Sequence, residues 1–396
     1  MAIVTLGHTS RELVALQDEW GGLLERSRAH RAFHSWHWIT TWWQFHLNDV
    51  ELWLLVARDE QDGRLIGAAP LVLREVHPTK KVPITWRQLE MMVADEVLYH
   101  RDFVIETGRE AEVLPLFLEL LLAEQERWDV LRFANLSPFS NCVPLLSEQP
   151  HIDWDHRAGA SFPYLALPQD WTGYHKRLSK ATRHQLSQID HKVEAQIGDD
   201  WAFEIIDDPQ QLSAILLQLR HFQHVQFQVD QVPVTFYDNI TTRFYFKVAK
   251  RLFTQGGMRV FVLRFHDEVA AILWVFVQQH TLSCFSFGQH QKFVQYDTET
   301  LLIEQAIRYA IGTFMHQIEF MAWDHGMPLD FGTEILTPHD FTWYRAKKAS
   351  MLRQAVELGR ASKERTQQML ETVRARLLGE DITLADLSDT DWKDPF

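Results

Sequence analysis

One order of elements occurs twice in this chain, and a repeated order constrains a fold more than either copy alone. In the second half, residues 258–265, 269–278 and 282–287 are apolar, β-branched or alternating runs bounded by polar turns, and each reads as a strand. A helical pattern over residues 298–311 places Leu301, Leu302, Gln305, Ala306, Tyr309 and Ala310 on one stripe. A last apolar run, residues 317–323, ends on Asp324-His325-Gly326. The first half repeats the order: strands at 51–59 and 65–73, a strand at 102–106, a helix at 110–125 and a strand at 129–134. Residues 75–99 show few clear elements and read as a loop over the first sheet. A helix crossing between two strands predicts α/β layering in both copies.

At 396 residues the chain exceeds the size of one hydrophobic core, so two domains are expected. The connection is a proline-rich stretch, residues 137–170, which places the boundary near 165. The expected units are residues 1–165 and 166–345, followed by a charged helical tail over 346–396 whose end is poorly ordered. Further helices are expected at 12–28, 32–47, 171–195, 212–227 and 236–253. The net charge of −14 opposes general attraction to nucleic acid or anionic lipid, and DNA is not an expected partner. Two cysteines, Cys142 and Cys284, make no disulfide framework and fit a reducing compartment. The longest uninterrupted apolar run is too short to span a membrane, and the first residues lack the pattern of a secretory signal. A cytoplasmic location is the expectation.

Several residues carry a family resemblance. They are Phe33-His34-Ser35-Trp36 with Trp42-Trp43, Gly67-Ala68-Ala69-Pro70-Leu71, and Tyr99-His100-Arg101-Asp102. Further on come Pro163-Tyr164-Leu165, Leu178-Ser179-Lys180-Ala181-Thr182-Arg183, and Met258-Arg259-Val260 through Ala270-Ala271. With these, residues 10–345 resemble the tandem GNAT (N-acetyltransferase-like) family, which includes the Fem-type aminoacyltransferases and the GNAT-like proteins of bacterial cellulose-biosynthesis loci. The resemblance implies an α/β fold of two tandem GNAT-like domains, each a mixed twisted sheet flanked by helices. It also implies transfer of an acyl or aminoacyl group from a coenzyme A or tRNA donor to an amine or hydroxyl acceptor, in an envelope or polysaccharide context. Acyl-CoA would be a co-substrate and not a resident cofactor.

Direct acyl transfer to an amine needs a base, because an ammonium group has no lone pair. It also needs backbone N–H groups to hold the oxyanion and the donor's phosphates. Asp324 and His325 are candidate bases, since ligands approach α/β sheets at strand ends, and Asp102 holds the equivalent edge of the first unit. Tyr296, Thr298 and Thr300 mark the helix start that would meet the donor, with Asp297 or Thr298 as its cap. The helix over 171–195 buries Leu178, Thr182, Leu186, Ile189 and Val193 by pattern. It turns Lys176, Arg177, Lys180, Arg183 and Lys192 outwards, as a seat for phosphates or as a solvated face. Trp36, Tyr99, His100 and Phe287 would line the substrate groove, although most of the aromatic run at 32–47 reads as core.

Two departures from the family pattern weigh against catalysis. The loop before residue 298 holds no glycine to let a backbone approach pyrophosphate, and Glu299 puts a negative charge there. The Tyr-Lys pair that relatives carry after the last strand is absent from Gly326-Met327-Pro328-Leu329-Asp330-Phe331-Gly332. The rival reading is therefore a non-catalytic module that binds a glycan, peptide or protein. No metal is expected: His34 with His37, and His221 with His224, share helix faces but have no third ligand nearby.

Overall fold

The computed structural model describes residues 1–29, 31–77, 85–92, 100–230, 235–236, 239–323 and 326–345. The first sheet is built from β1 (Ala2–Gly7), β2 (Glu51–Asp59), β3 (Leu65–Val76), β4 (Trp86–Met91), the short β5 (Val104–Ile105), β6 (Val130–Leu136) and β7 (Asp155–Ala158). The second uses β8 (Phe162–Ala166), β9 (Trp201–Ile206), β10 (Met258–Phe265), β11 (Glu268–Gln278), β12 (Thr281–Gln289), β13 (Gln317–Phe320) and β14 (Glu334–Leu336). The last strand, β15 (His339–Tyr344), returns to the first sheet. The helices are α1 (Ser10–Val14), α2 (Gln17–Glu25), α3 (Trp36–His46), α4 (Glu110–Ala123), α5 (Cys142–Ser147), α6 (Trp171–Arg177), α7 (Lys180–Gln196), α8 (Pro209–Asp230), α9 (Asn239–Thr254) and α10 (Thr298–Gly312).

The strand orders are β1-β2-β3-β4-β6-β15-β7, with β5 beside β3, and β9-β10-β11-β12-β13-β8-β14. Each sheet is an antiparallel meander whose fourth strand pairs in parallel with the next, β4 with β6 and β12 with β13. A helix, α4 or α10, precedes that parallel partner, because parallel neighbours need a crossover. The twofold pattern in the sequence is thus a twofold topology. The third strand of the first copy is β4 and not residues 102–106; only Val104–Ile105 there is strand. Within residues 75–99, β4 turns Leu89 and Met91 to the core behind the first sheet, while Gln88 and Glu90 on its other face are buried beside Arg74.

The expected boundary at 165 falls inside β8, which belongs to the second sheet. The segment after it does not stay with that sheet. β15 sits between β6 and β7, so the unit expected to end at 345 donates a strand to the other one. The two connections, β7 to β8 and β14 to β15, lie against each other: Gly159 N–H donates to Pro338 O at 2.8 Å. A Cβ on Gly159 would stand 2.4 Å from Asn135 Oδ1, so only glycine passes there.

Three cores follow. One lies behind the first sheet against α4, with Trp53, Leu55, Phe117 and Phe133. One lies behind the second sheet against α7 and α10, with Leu186, Leu273, Cys284 and Leu302. The third fills the space between the sheets and draws on both. There Phe33 meets Phe276 at 5.6 Å and Trp38 of α3 meets Phe244 of α9 at 5.4 Å between ring centres. The buried side of α3 is Trp38, Ile39, Thr41 and Trp42, which leaves Trp36 and Trp43 half-buried. The helix expected over 171–195 is broken at Leu178, because Ser179 takes an extended conformation and caps α7 by accepting from Thr182 N–H. The stripe predicted for it holds: Thr182, Leu186, Ile189 and Val193 are buried. The expected tail helix lies outside the described residues.

Candidate functional site

The parallel strands of the second sheet part company early. β12 and β13 pair from Thr281 opposite Gln317 to Cys284 opposite Phe320, and no further. At that point β12 bulges: Trp274 of β11 faces Ser286, Val275 faces Cys284, and Phe285 is the extra residue. A bulge bends its strand and ends regular pairing. β12 continues to Gln289 while the chain beyond Phe320 turns off in a single 3-10 turn, Met321–Trp323. An opening between parallel strands at their carboxyl ends is where α/β sheets take ligands.

That opening is filled from inside the protein. The Phe287 and Trp323 rings stand 5.3 Å apart, and Trp323 is fully buried. The Trp323 indole N–H donates to Glu299 Oε1 at 2.5 Å. Glu299 is therefore engaged by a side-chain donor. α10 begins at the same end. Asp297 sits at its start with a left-handed backbone (φ 54°) and makes no side-chain cap. Thr298 and Thr300 are buried, and the Thr298 hydroxyl donates to Gln289 Oε1 at 2.7 Å. Tyr296 packs edge-on against Phe265. Gly288, upstream, serves packing: its missing Cβ would lie 3.0 Å from Leu219 Cδ1 on α8.

On the face of the second sheet that looks to the first unit, just before the strands part, lies a buried polar cluster. Glu319 on β13 is wholly inaccessible. It accepts from Ser283 Oγ at 2.8 Å and from Gln317 Nε2 at 2.9 Å. From the first unit, His100 Nε2 lies 3.2 Å and Arg31 Nη2 3.5 Å from Glu319 Oε1. The charges of His100 and Arg31, helped by these hydrogen bonds, outweigh burial and hold the Glu319 carboxyl down at about 2. The other nitrogen of His100, Nδ1, lies 3.3 Å from Ser137 Oγ.

Asp102 is nearby, behind this cluster. Its Oδ1 accepts from Ser140 Oγ at 2.7 Å and from Phe103 N–H at 2.8 Å, and its own N–H donates to His34 Nε2 at 3.0 Å. Burial raises its carboxyl to about 7 despite those bonds. Burial also lowers the His34 imidazole to about 3, so His34 is neutral. A carboxyl near 7 suits proton transfer, but here it anchors the turn at Ser140.

The expected phosphate seat is dispersed. Lys176, Arg177 and Lys180 are exposed. Arg183 lines a separate cavity of about 410 Å³ with Trp171, His175, Asp190, Glu304 and Arg308. Arg308 there stacks on Trp171 and pairs with Glu304. The residue of α7 that reaches the start of α10 is Lys192, which donates to Gln295 O and stands 3.9 Å from Asp297. At about 1.5 Å per helical residue, Lys180 is roughly 18 Å away along the helix. Asp324, His325 and Tyr99 lie outside the described residues. His100 and Asp102 adjoin one cluster; Trp36 and Phe287 lie elsewhere, Trp36 at the start of α3 and Phe287 in the strand opening. Sequence reasoning missed Arg31, Ser283 and Glu319. The signal available was a lone carboxylate inside the apolar run 317–323. Among the described residues no group of three or more His, Cys, Asp or Glu is placed to hold a metal. No helix among them is long and apolar enough to cross a membrane.

Comparison with known proteins bears on this geometry. Residues 180–331 match the family model described as an acetyltransferase (GNAT) domain. No curated protein matches the sequence. Among solved structures the chain is similar to FemX, at 11% identity and a TM-score of 0.56, covering 89% of this chain and all of that one. A conserved protein from Bacteroides thetaiotaomicron VPI-5482 gives 10% identity and a TM-score of 0.53, over 86% of this chain and all of that one. The C-terminal domain of a putative lysylphosphatidylglycerol synthetase from Agrobacterium fabrum gives 11% and 0.50, over 87% and 97%. At such identities the likeness is one of fold.

Proposed function

We propose that this chain, whose residues 180–331 match a GNAT domain, is an acyltransferase acting on an amine or hydroxyl acceptor. The acceptor's nitrogen or oxygen attacks the carbonyl carbon of a thioester or ester. A C–N or C–O bond forms as the bond to the carrier sulfur or oxygen breaks. The acceptor's proton passes to a base and then to the leaving thiolate or alkoxide. The observation that carries this reading is the bulged parting of β12 from β13, which takes the β12 main chain beyond Cys284 out of its pairing with β13. N–H groups along such a strand can hold the developing oxyanion.

The donor is an acyl group on coenzyme A or an aminoacyl group on tRNA. Its carrier would lie at the start of α10, by Tyr296, Thr298 and Thr300. There the helix main chain and Lys192 supply positive potential, and Lys176, Arg177, Lys180 and Arg183 form a wider basic approach. Asp324, the residue after Trp323, is the proposed base, with His325 beside it and Asp102 as the alternative. The acceptor groove is proposed to include His100 and Tyr99, the residue before it. An envelope or polysaccharide acceptor and a cytoplasmic location belong to the same proposal.

The Phe287–Trp323 pair in the opening favours a second reading, a binding module that kept the fold without the donor. A thermal-shift panel with coenzyme A and acyl-CoAs of increasing chain length separates the two. Binding to the folded state alone raises the midpoint, by about 2.7 kcal/mol of stability at a hundredfold excess over Kd. A shift that depends on chain length supports the acyl-CoA donor. Asp324→Asn should then lower turnover by about 10²–10⁴-fold while leaving the shift in place. No shift with any acyl-CoA, and no transfer from aminoacyl-tRNA, would overturn the enzyme reading.

A further inference from the structure

At the other end of the second sheet a cavity of about 760 Å³ opens between the two units. Its walls are α2, the start of α3, the turn after α9 and the turn joining β11 to β12. It is separate from the strand opening: the cavity takes in Gln278 and Gln279 before β12, and Phe287 lies six residues along β12 from its first residue, Thr281, about 20 Å at strand rise. The volume falls within the range of small-molecule sites.

The lining combines amides with apolar side chains, Trp20, Leu24, Leu252 and Val277 among them. Gln17, Gln255, Gln278 and Gln279 face it, with the half-buried Trp36 ring and His37. Burial and the nearby Arg251 lower the His37 imidazole from its usual value, so it is neutral at pH 7. Glu25 is the one carboxylate among the described lining residues. A glutamine amide both donates and accepts hydrogen bonds, as a hydroxyl group does. A ring face offers an apolar platform of the kind that suits the C–H face of a pyranose. Few charges and many amides beside an indole suit a hydroxyl-rich, uncharged ligand.

Gly21 supplies an independent observation. It sits inside α2 and lines the cavity, and a Cβ built on it meets nothing within 4 Å. Glycine inside a helix costs about 0.5–1 kcal/mol relative to alanine. Packing does not demand it here, and its backbone is helical. Gly21 is exposed, and its absent side chain leaves that stretch of the cavity wall open.

We propose that this inter-unit cavity is a binding site for a neutral oligosaccharide, with Trp36 as the stacking platform and the glutamine amides reading its hydroxyls. The assignment is independent of acyl transfer, because the acyl-CoA panel probes the opposite end of β12. The test uses calorimetry and tryptophan fluorescence on the full chain, with neutral gluco-, manno-, galacto- and N-acetylglucosamine oligomers of increasing length. Saturable binding is expected to one of these series, tightening with length and unchanged when salt is raised about tenfold, since no charge is being screened. Gly21→Tyr should weaken binding at least about tenfold without lowering the melting temperature, and Trp36→Ala should do the same and abolish the fluorescence change. No binding in any series overturns the proposal. So does binding that survives Gly21→Tyr, or a preference for an uncharged glutamine-rich peptide over every oligosaccharide.

Discussion

Glu319 shows what a single buried charge does between two units. Arg31 and His100 come from one unit, Glu319 and Ser283 from the other, and all four meet out of water. Removing one member of a buried pair leaves its partner uncompensated and costs about 3–5 kcal/mol. Glu319→Gln should destabilise the protein on that scale in chemical unfolding at pH 7. Because the Glu319 carboxyl is depressed, its contribution is present above about pH 4.5 and is lost as pH falls towards 2. Asp102 has the opposite sign. Its carboxyl is raised to about 7, so the stability it contributes is full below about pH 4 and fades as pH rises through 7. Asp102→Asn keeps an oxygen acceptor for Ser140 and Phe103 and removes the buried charge. It should raise stability by roughly 1–3 kcal/mol at pH 8 and leave it unchanged near pH 4. A melting series across that window reads both limbs, and a flat difference between variant and parent would refute the assignment.

At the scale of elements, the helix–strand repeat was readable because burial on one face imposes a period. β2, β10, β11 and α10 begin and end within a residue of where their apolar pattern does. β4 was not readable, because only Leu89 and Met91 mark its core face, and Gln88 and Glu90 on the other face, satisfied by each other and by Arg74, interrupt any apolar run. The Trp323 turn belongs to this scale as well. Its ring holds the parted ends of β12 and β13 together with Phe287 and Glu299. Trp323→Phe keeps much of the ring and removes the N–H donor, so Glu299 loses that hydrogen bond. Destabilisation of about 1–3 kcal/mol is expected. If the opening receives a donor, the same change should strengthen an acyl-CoA thermal shift. A variant as stable as the parent would show that the bond to Glu299 is idle.

The whole molecule is tied by exchange. β15 comes from the end of the described chain and lies inside the first sheet, one strand from its edge, between β6 and β7. A fragment ending at residue 165 would leave the β6 edge open and β7 without a neighbour, with Phe341 missing from the core behind that sheet. It should fail to give a cooperative thermal transition by circular dichroism, although it contains every element of the first copy. A fragment of residues 1–165 that melts cooperatively, with a dispersed NMR spectrum, would show that β15 is dispensable. The shared core, with Trp38 and Phe33 against Phe244, Phe276 and Phe285, makes separate unfolding of the two units unfavourable for the same reason.

The sequence alone determined the α/β class, the repeated order of strands and helices, and the apolar stripes of α7 and α10, since each follows from local periodicity and side-chain size. It also pointed to residues 100–102, where His100 and Asp102 do adjoin the buried cluster. Only the tertiary structure decided which strand fills the place between β6 and β7 and that Arg31, His100, Ser283 and Glu319 share one site. It also decided that Lys192, and not Lys180 or Arg183, reaches the start of α10. These are pairings between residues up to 288 positions apart. No local pattern records them, because they depend on how two finished units close over one another.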